Sequence, residues 1–321
     1  MSPPPSPLPA PVSHLLIPAA TSRAPALQAA LPGLRLPHLQ QLLARLTPAE
    51  RIDADAHTWS MPCEQAVARA IGLPGDAGRI PWAALESQTW GTPCAWVRPC
   101  HWQVGTDRIL MGDPDALQLQ EDESRAFMAA MLPYFEEDGI ALRYQALPGT
   151  WLATGEVFRD LPTASLDRVV GRNINTWLPN AATPTGATLR RLQNEMQMLL
   201  YTHPLNDARE QRGASVVNSF WLTGAGVLDT PVLPNPALTI EPRLCAPALQ
   251  QDADAWLAAW QAVDADTCAA LLQRLQRGES VQLTLCGDHA AQTFRSGEQG
   301  LWQRFSSLFG RKPVSNLLET L

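Results

Sequence analysis

The chain has 321 residues, 45% of them hydrophobic and 17% charged, with a formal net charge of −7. A chain of this size can bury one large core or a core plus a smaller domain, and an acidic balance without a clustered basic face sets nucleic acid aside as a partner. No apolar run approaches the roughly 20 residues needed to span a bilayer, so no membrane partner is expected.

The opening MSPPPSPLPAPV has neither the basic stretch nor the apolar run of a secretory signal, which predicts a cytoplasmic protein. Proline blocks both helix and ladder, so residues 1–11 read as a disordered tail. Ser13–Pro18 (SHLLIP) reads as a first buried strand. In Leu36–Leu46 the leucines at 36, 39, 42, 43 and 46 keep helical spacing. Residues 62–72 form a second helix, with Pro62 in its first turn and Gly72 as its stop.

From 90 to 117 the chain turns rich in Trp, Pro and Cys, and CAWVRPCHWQV and DRILM read as strands. Glu121–Asp138 is a helix with Phe127, Met131 and Phe135 on one face; Pro133 is expected to kink it. Strands are expected at 140–144 and 150–154, and 155–187 is rich in loops. Leu189, Leu192, Met196, Leu199 and Leu200 then form an apolar helical stripe that ends at His203–Pro204, with Met196 and Met198 read as core packing. A short polar helix at 205–212 leads to the strand Ser215–Leu222 and a Gly224-Ala225-Gly226 turn. Helices at 253–262 and 264–276, the strand Val281–Cys286 and an amphipathic LWQRFSSLF segment complete the chain.

Strands alternating with helices at both ends predict an α/β fold, a mostly parallel sheet flanked by helices. The β-rich stretch between them predicts an inserted, smaller α+β subdomain. The expected division is a core of 12–88 and 188–310, an insert of 90–185 and a C-terminal tail of 311–321. The six cysteines are scattered without a CxxC pair, which predicts reduced, buried thiols. Core packing is likewise the reading of Cys94, Cys100 and His101, whose spacing is irregular for zinc and lacks a fourth ligand.

Asn194–Gly226, NEMQMLLYTHPLNDAREQRGASVVNSFWLTGAG, resembles the archaeal-type, cofactor-independent phosphoglycerate mutases. These share a helix ending in His-Pro-x-Asn, an Arg-rich turn, and an Asn-bearing strand running into Gly-x-Gly. The matching residues are His203, Pro204, Asn206, Arg209, Arg212, Gly213, Asn218, Gly224 and Gly226. LPHLQQLL resembles the segment after the first strand in the alkaline phosphatase superfamily, to which those mutases belong. Over nearly its whole length the chain resembles the bacterial group labelled RpfE-type regulatory proteins.

The resemblance implies an alkaline-phosphatase-like sheet and a ligand site near the cleft, formed by His203, Asn206, Arg209, Arg212 and Asn218. A turn of this kind offers imidazole, amide and guanidinium donors suited to carboxylate or phosphate. Arg168 and Arg172, four apart in a polar loop, are read either as part of that site or as a solvated basic face. For His203 and Asn206 the alternative is helix capping, and for Arg209 it is an ion pair with Asp207 or Glu210.

The mutases also use two divalent metals and a serine nucleophile. Where the first Asp ligand belongs, this chain reads Pro18-Ala19-Ala20-Thr21-Ser22; where the serine loop belongs, it reads DADAHTWSMPCEQ with only Ser60 nearby. Asp288-His289 after the strand Val281–Cys286 matches the late ligand pair. No cofactor is therefore expected, with Mn or Zn at Asp288 and His289 if the remnant holds a metal. The implied function is a mutase-like protein with a degenerate metal site, non-catalytic and regulatory, that binds a small anionic ligand or a protein partner. The alternative is an active phosphoglycerate mutase or phosphohydrolase with rearranged ligands.

Overall fold

A computed structural model describes residues 12–55, 57–297 and 314–321. The chain divides into two compact units: unit 1 is Met1–Asp55, Pro62–Ile71 and Pro234–Leu321, and unit 2 is Ala56–Met61 and Gly72–Leu233. Unit 2 extends beyond the expected 90–185 at both ends, so the helix carrying the 189–200 stripe belongs to it rather than to the α/β core. The reason lies in that helix's partners, which are the Trp- and Phe-rich strands of the middle segment.

Unit 1 is a mixed α/β layer. Its sheet centres on β1 (Ser13–Ile17), whose run HLLI leaves three residues with almost no exposure. β9 (Leu238–Ile240) and β10 (Val281–Cys286) flank β1, both parallel to it. β11 (Ala290–Arg295) returns antiparallel beside β10, and β2 (Thr47–Asp53) closes the edge antiparallel to β11. Four of the five strands thus run one way, although only two of the four pairings are parallel. β2, β9 and β11 are additions to the elements read from sequence. In β2, TPAERID buries only Ile52, because an edge strand wet on one face needs little apolar signal.

The alternation along β1 and β10 decides what covers each face. Leu15, Ile17, Leu283 and Leu285 pack with Leu27 of α1 (Pro25–Ala30), with Leu39 and Leu42 of α2 (Pro37–Leu43), and with Trp256 and Trp260 of α10 (Ala253–Val263). The other face carries Leu16, Ile52, Cys286 and Ala291 and is covered by α3 (Pro62–Ile71), which begins at a proline and stops at Gly72 (φ 77°). α10 continues through a π-turn at Asp264–Cys268 into α11 (Ala269–Gln276), joining the two helices expected there. The turn points the Asp264 carboxylate at α2, where it accepts from the amides of His38 and Leu39 at 3.2 and 2.7 Å. α9 (Cys245–Leu249) and α12 (Val314–Leu318) complete the unit. α12 corrects the expectation of a C-terminal tail, since Leu318 and Leu321 are buried in the main core. The expected 1–11 tail and the LWQRFSSLF helix lie outside the described residues.

Unit 2 holds an antiparallel sheet in the order β6 (Ala141–Tyr144), β7 (Trp151–Thr154), β3 (Cys94–Cys100) and β8 (Ser219–Gly226). Gly224 and Gly226 lie inside β8 rather than in a turn after it. A side chain at either would collide with Trp82 or Pro81 at about 3 Å or less, and both have φ values that favour glycine. Trp82 opens α4 (Trp82–Ser87), which packs on β8 and β3. The opposite face receives α5 (Glu121–Glu137) and α7 (Pro184–Tyr201) through Phe127, Met131, Phe135, Leu189, Leu192 and Met196. Each such side chain contributes about 1.5–3 kcal/mol on burial. β4 (Trp102–Val104) and β5 (Ile109–Met111) form a separate hairpin. α6 (Leu166–Val169) and α8 (Pro204–Gln211) are short.

Candidate functional site

The residues expected to form a ligand site all fall in unit 2, and the expected metal pair Asp288 and His289 falls in unit 1. In unit 2, Pro204 has no amide proton to extend α7, so the chain restarts as α8 with His203 as its N-cap. The His203 Nδ1 accepts from the Leu205 amide at 3.3 Å, and its ring lies 6.1 Å from that of Phe127. Asn206 is buried. Its side-chain oxygen accepts from the Val217 amide at 2.9 Å, and its nitrogen donates to the carbonyls of Val217 and Leu200 at 2.7 and 2.8 Å. Asn218 does the same for Trp102, accepting from its amide at 2.7 Å and donating to its carbonyl at 2.8 Å. Each asparagine replaces a missing ladder partner.

Arg209 has no exposed surface. Its Nε donates to the Ser215 carbonyl at 2.7 Å, Nη2 to the Leu117 carbonyl at 2.5 Å, and Nη1 to both oxygens of Glu123 at 3.1 and 3.0 Å. Arg212, half in solvent, bonds the same carboxylate. Burial alone would raise the Glu123 carboxyl, but its bonds to Arg212, the Gln120 amide and Arg209 outweigh this and hold it below the usual range. The expected local partners Asp207 and Glu210 do not take Arg209; an acid 86 residues earlier does. His203, Asn206, Arg209 and Arg212 do come together, and they form a clamp between α8, the 215–217 segment and the start of α5. The signal available in sequence was EDES at 121–124, whose Glu123 closes a capping box with Gln120.

Arg168 is also buried. Its Nε donates to the Thr58 carbonyl at 2.7 Å, and its guanidinium lies 5.6 Å from the Trp177 ring. Arg172 is exposed, and its backbone carbonyl accepts from Met111. Met198, read as core packing, stands 77% exposed beside Tyr201 at 85%. It borders a groove of about 710 Å³ also lined by Tyr134, Arg190, Arg191 and Asn194. None of the residues expected to bind a ligand lines this groove. The signal for it was spacing, since Met198 and Tyr201 fall off the stripe formed by Leu189, Leu192, Met196 and Leu200.

In unit 1 the C-terminal ends of β1 and β10 lie side by side, the end of a parallel sheet where ligands characteristically sit. Trp256 and Trp260 hold the loop after β1 by donating to the carbonyls of Ala19 and Ala20, both at 3.1 Å. Asp288 accepts from the Ser22 hydroxyl at 3.1 Å and the Arg23 amide at 2.8 Å. His289 Nδ1 donates to the Ala54 carbonyl at 3.3 Å. The two side chains therefore turn to different segments. The Leu321 carbonyl oxygen accepts from the amides of both His289 and Ala290, at 2.8 and 2.7 Å. A Cβ on Gly287 would lie 2.5 Å from Leu321 and 2.6 Å from Thr21, so the fold leaves no space there.

The donor set does not fit a two-metal centre. Asp288 spends its contacts on the β1–α1 loop, and Asp53, paired across the ladder with Ala290, is bonded by Arg51. Among the described residues, no three His, Cys, Asp or Glu side chains are grouped to hold a metal. Ser60, the residue nearest the expected nucleophile position, is buried in unit 2, where its hydroxyl accepts from the Gly78 amide at 2.8 Å. Cys94 and Cys100 are buried thiols, Cys94 pushed up to about 11 by burial. Among the described residues no helix is long and apolar enough to cross a membrane.

No family model matches the chain, and none of the curated proteins does. Among solved structures, the chain is similar to the cofactor-independent phosphoglycerate mutase from Thermoplasma acidophilum DSM 1728. Identity is 13%, coverage is 96% of this chain and 98% of that one, and the TM-score is 0.38. It is similar also to the PH0037 protein from Pyrococcus horikoshii, at 13% identity, 89% and 88% coverage and a TM-score of 0.43. Scores of this size assign neither an activity nor any residue's role.

Proposed function

We propose that this chain is a phosphoglycerate-mutase-like protein with a degenerate metal site, non-catalytic, regulatory and cytoplasmic. It stands nearer the RpfE-type regulatory proteins than the active mutases, with unit 2 as the inserted subdomain of an alkaline-phosphatase-like scaffold. The residue-by-residue resemblance of 194–226 motivates the scaffold. One observation carries the loss of catalysis: the chain's own Leu321 is bonded to the amides of the β10–β11 turn, where the Asp-His ligand pair would need an open face. Metal ligation needs free lone pairs aimed at one point. Asp288 instead accepts from Ser22 and Arg23, and among the described residues no cluster of three His, Cys, Asp or Glu forms around the pair.

The binding role falls to a protein partner rather than a small anion. Arg209, Asn206, Asn218 and Arg168 are committed to holding unit 2 together, whereas Met198 and Tyr201 are presented to solvent. The test is a coupled assay on 3-phosphoglycerate with and without Mn²⁺, beside elemental analysis of the purified chain. Neither turnover nor stoichiometric metal is expected. Turnover stimulated by Mn²⁺ and abolished by Asp288→Ala would overturn the reading, because a lost activating metal removes several orders of magnitude in rate.

A further inference from the structure

Two thiols of unit 1 meet beneath α3. Cys63 is the second residue of that helix, half-buried, and packs on the cluster of Leu16, Ile52, Ala66, Cys286 and Ala291. Cys286 ends β10 with no exposed surface. Both side chains therefore share one packed cluster. They arrive there from positions 223 apart in the sequence (286 − 63), so no local motif brings them together.

We propose that Cys63 and Cys286 form a reversible disulfide, a redox-sensitive cross-link between α3 and β10, with a hydroperoxide as oxidant. Solvent reaches Cys63 and not Cys286, which sets the order of events. The Cys63 thiolate attacks the terminal oxygen of the hydroperoxide; an S–O bond forms, the O–O bond breaks, and the alkoxide leaves, taking up a proton as the alcohol. Cys63 is now a sulfenic acid. The Cys286 sulfur then attacks the Cys63 sulfur; the S–S bond forms, the S–O bond breaks, and hydroxide leaves with the Cys286 proton as water. The two thiols together lose two electrons and two hydrogens, and the peroxide is reduced to alcohol and water. Cys286 has no exposed surface, so it meets no oxidant from solvent and reacts only as the resolving partner of an oxidised Cys63. A small dithiol reverses the bond by exchange at the Cys63 sulfur.

Cys245, exposed and in the same unit, provides the control, since exposure alone would favour it over Cys63. The experiment treats the full chain with hydrogen peroxide, blocks residual thiols and maps peptides by mass spectrometry without reduction. A linked pair containing Cys63 and Cys286 is expected, lighter by two hydrogens, retained in Cys245→Ser and absent in Cys63→Ser. The oxidised chain should also melt at a higher temperature and return to its original value after dithiothreitol. Cys63→Ser replaces a half-exposed helix-end residue, so the variant should fold. Cys286 is buried and its replacement is not relied on. The proposal fails if Cys63 accumulates as a dimedone-trapped sulfenic acid while Cys286 stays alkylatable. It fails equally if the recovered link joins Cys63 or Cys286 to Cys245, or joins two chains.

Discussion

Replacing Arg209 by alanine distinguishes a clamp from a ligand site. The side chain is fully buried and bonds two backbone carbonyls and one carboxylate. Its loss strands the buried Leu117 carbonyl, an unsatisfied acceptor at about 1–3 kcal/mol, whereas the carbonyl of the exposed Ser215 can turn to water. Glu123 suffers less, because Arg212 and the Gln120 amide still hold it. Removing one partner of a buried ion pair costs about 3–5 kcal/mol, and the surviving Arg212 contact puts this site near the lower end. The two routes meet at a loss of about 3 kcal/mol, a large share of the roughly 5–15 kcal/mol that holds a typical domain. The assay is urea unfolding followed by tryptophan fluorescence, with Trp151 in the same core as the clamp. Arg209→Lys should recover only part of the loss, since an ammonium cannot reproduce the fork. The reasoning is refuted if Arg209→Ala costs less than about 1 kcal/mol while abolishing binding of 3-phosphoglycerate measured by calorimetry.

His14 should make unit 1 sensitive to acid. Burial chiefly, and Arg295 beside it, lower its pKa to about 4 from 6.5, and its Nε2 bonds Thr284 at 2.8 Å. A depressed imidazole stabilises the fold above the unfolded value and loses that contribution as pH falls from 6.5 towards 4. The loss is up to about 3 kcal/mol at 1.36 kcal/mol per unit; chemical denaturation at pH 7 and 4.5 should show it, and His14→Gln should flatten the difference. Asp264→Ala should cost about 2–4 kcal/mol, because two amides of α2 and the His38 ring lose their acceptor together. Hydrogen exchange at Leu39 would report it; unchanged protection there would mean that the 2.7 Å bond does not hold the helix end.

The elements that could be read from sequence are those whose burial is one-sided and local. HLLI, the leucine stripe of α7, and the Pro62 and Gly72 bounds of α3 all announce themselves within a dozen residues. β2 and β11 did not, because TPAERID and AAQTFR owe their ladder to each other across more than 230 positions. The ends of unit 2 were misjudged for a related reason: α7 has a helix pattern that fits either unit, and only its contacts with Phe127 and Trp151 decide. At the candidate site, the polar character of 203–218 was legible, but its purpose was not. Glu123 satisfies Arg209 from a different helix, and the asparagines turn inward to supply missing ladder bonds. Spacing records neither fact.

The sheet order of unit 1 sets the timing of synthesis. β1 emerges first from the ribosome, yet its partner β10 lies some 270 residues later, as the His14–Thr284 bond shows. Until then HLLI has no parallel neighbour to pair with on that side, and loop closure across such a span is slow. Unit 2 is contiguous from Gly72 to Leu233 apart from six earlier residues, and its antiparallel strands are complete well before β10 is made. A nascent chain therefore carries a folded unit 2 beside an apolar first strand still waiting for its partner. Over that interval the unpaired strand leaves apolar surface exposed, the condition that favours aggregation.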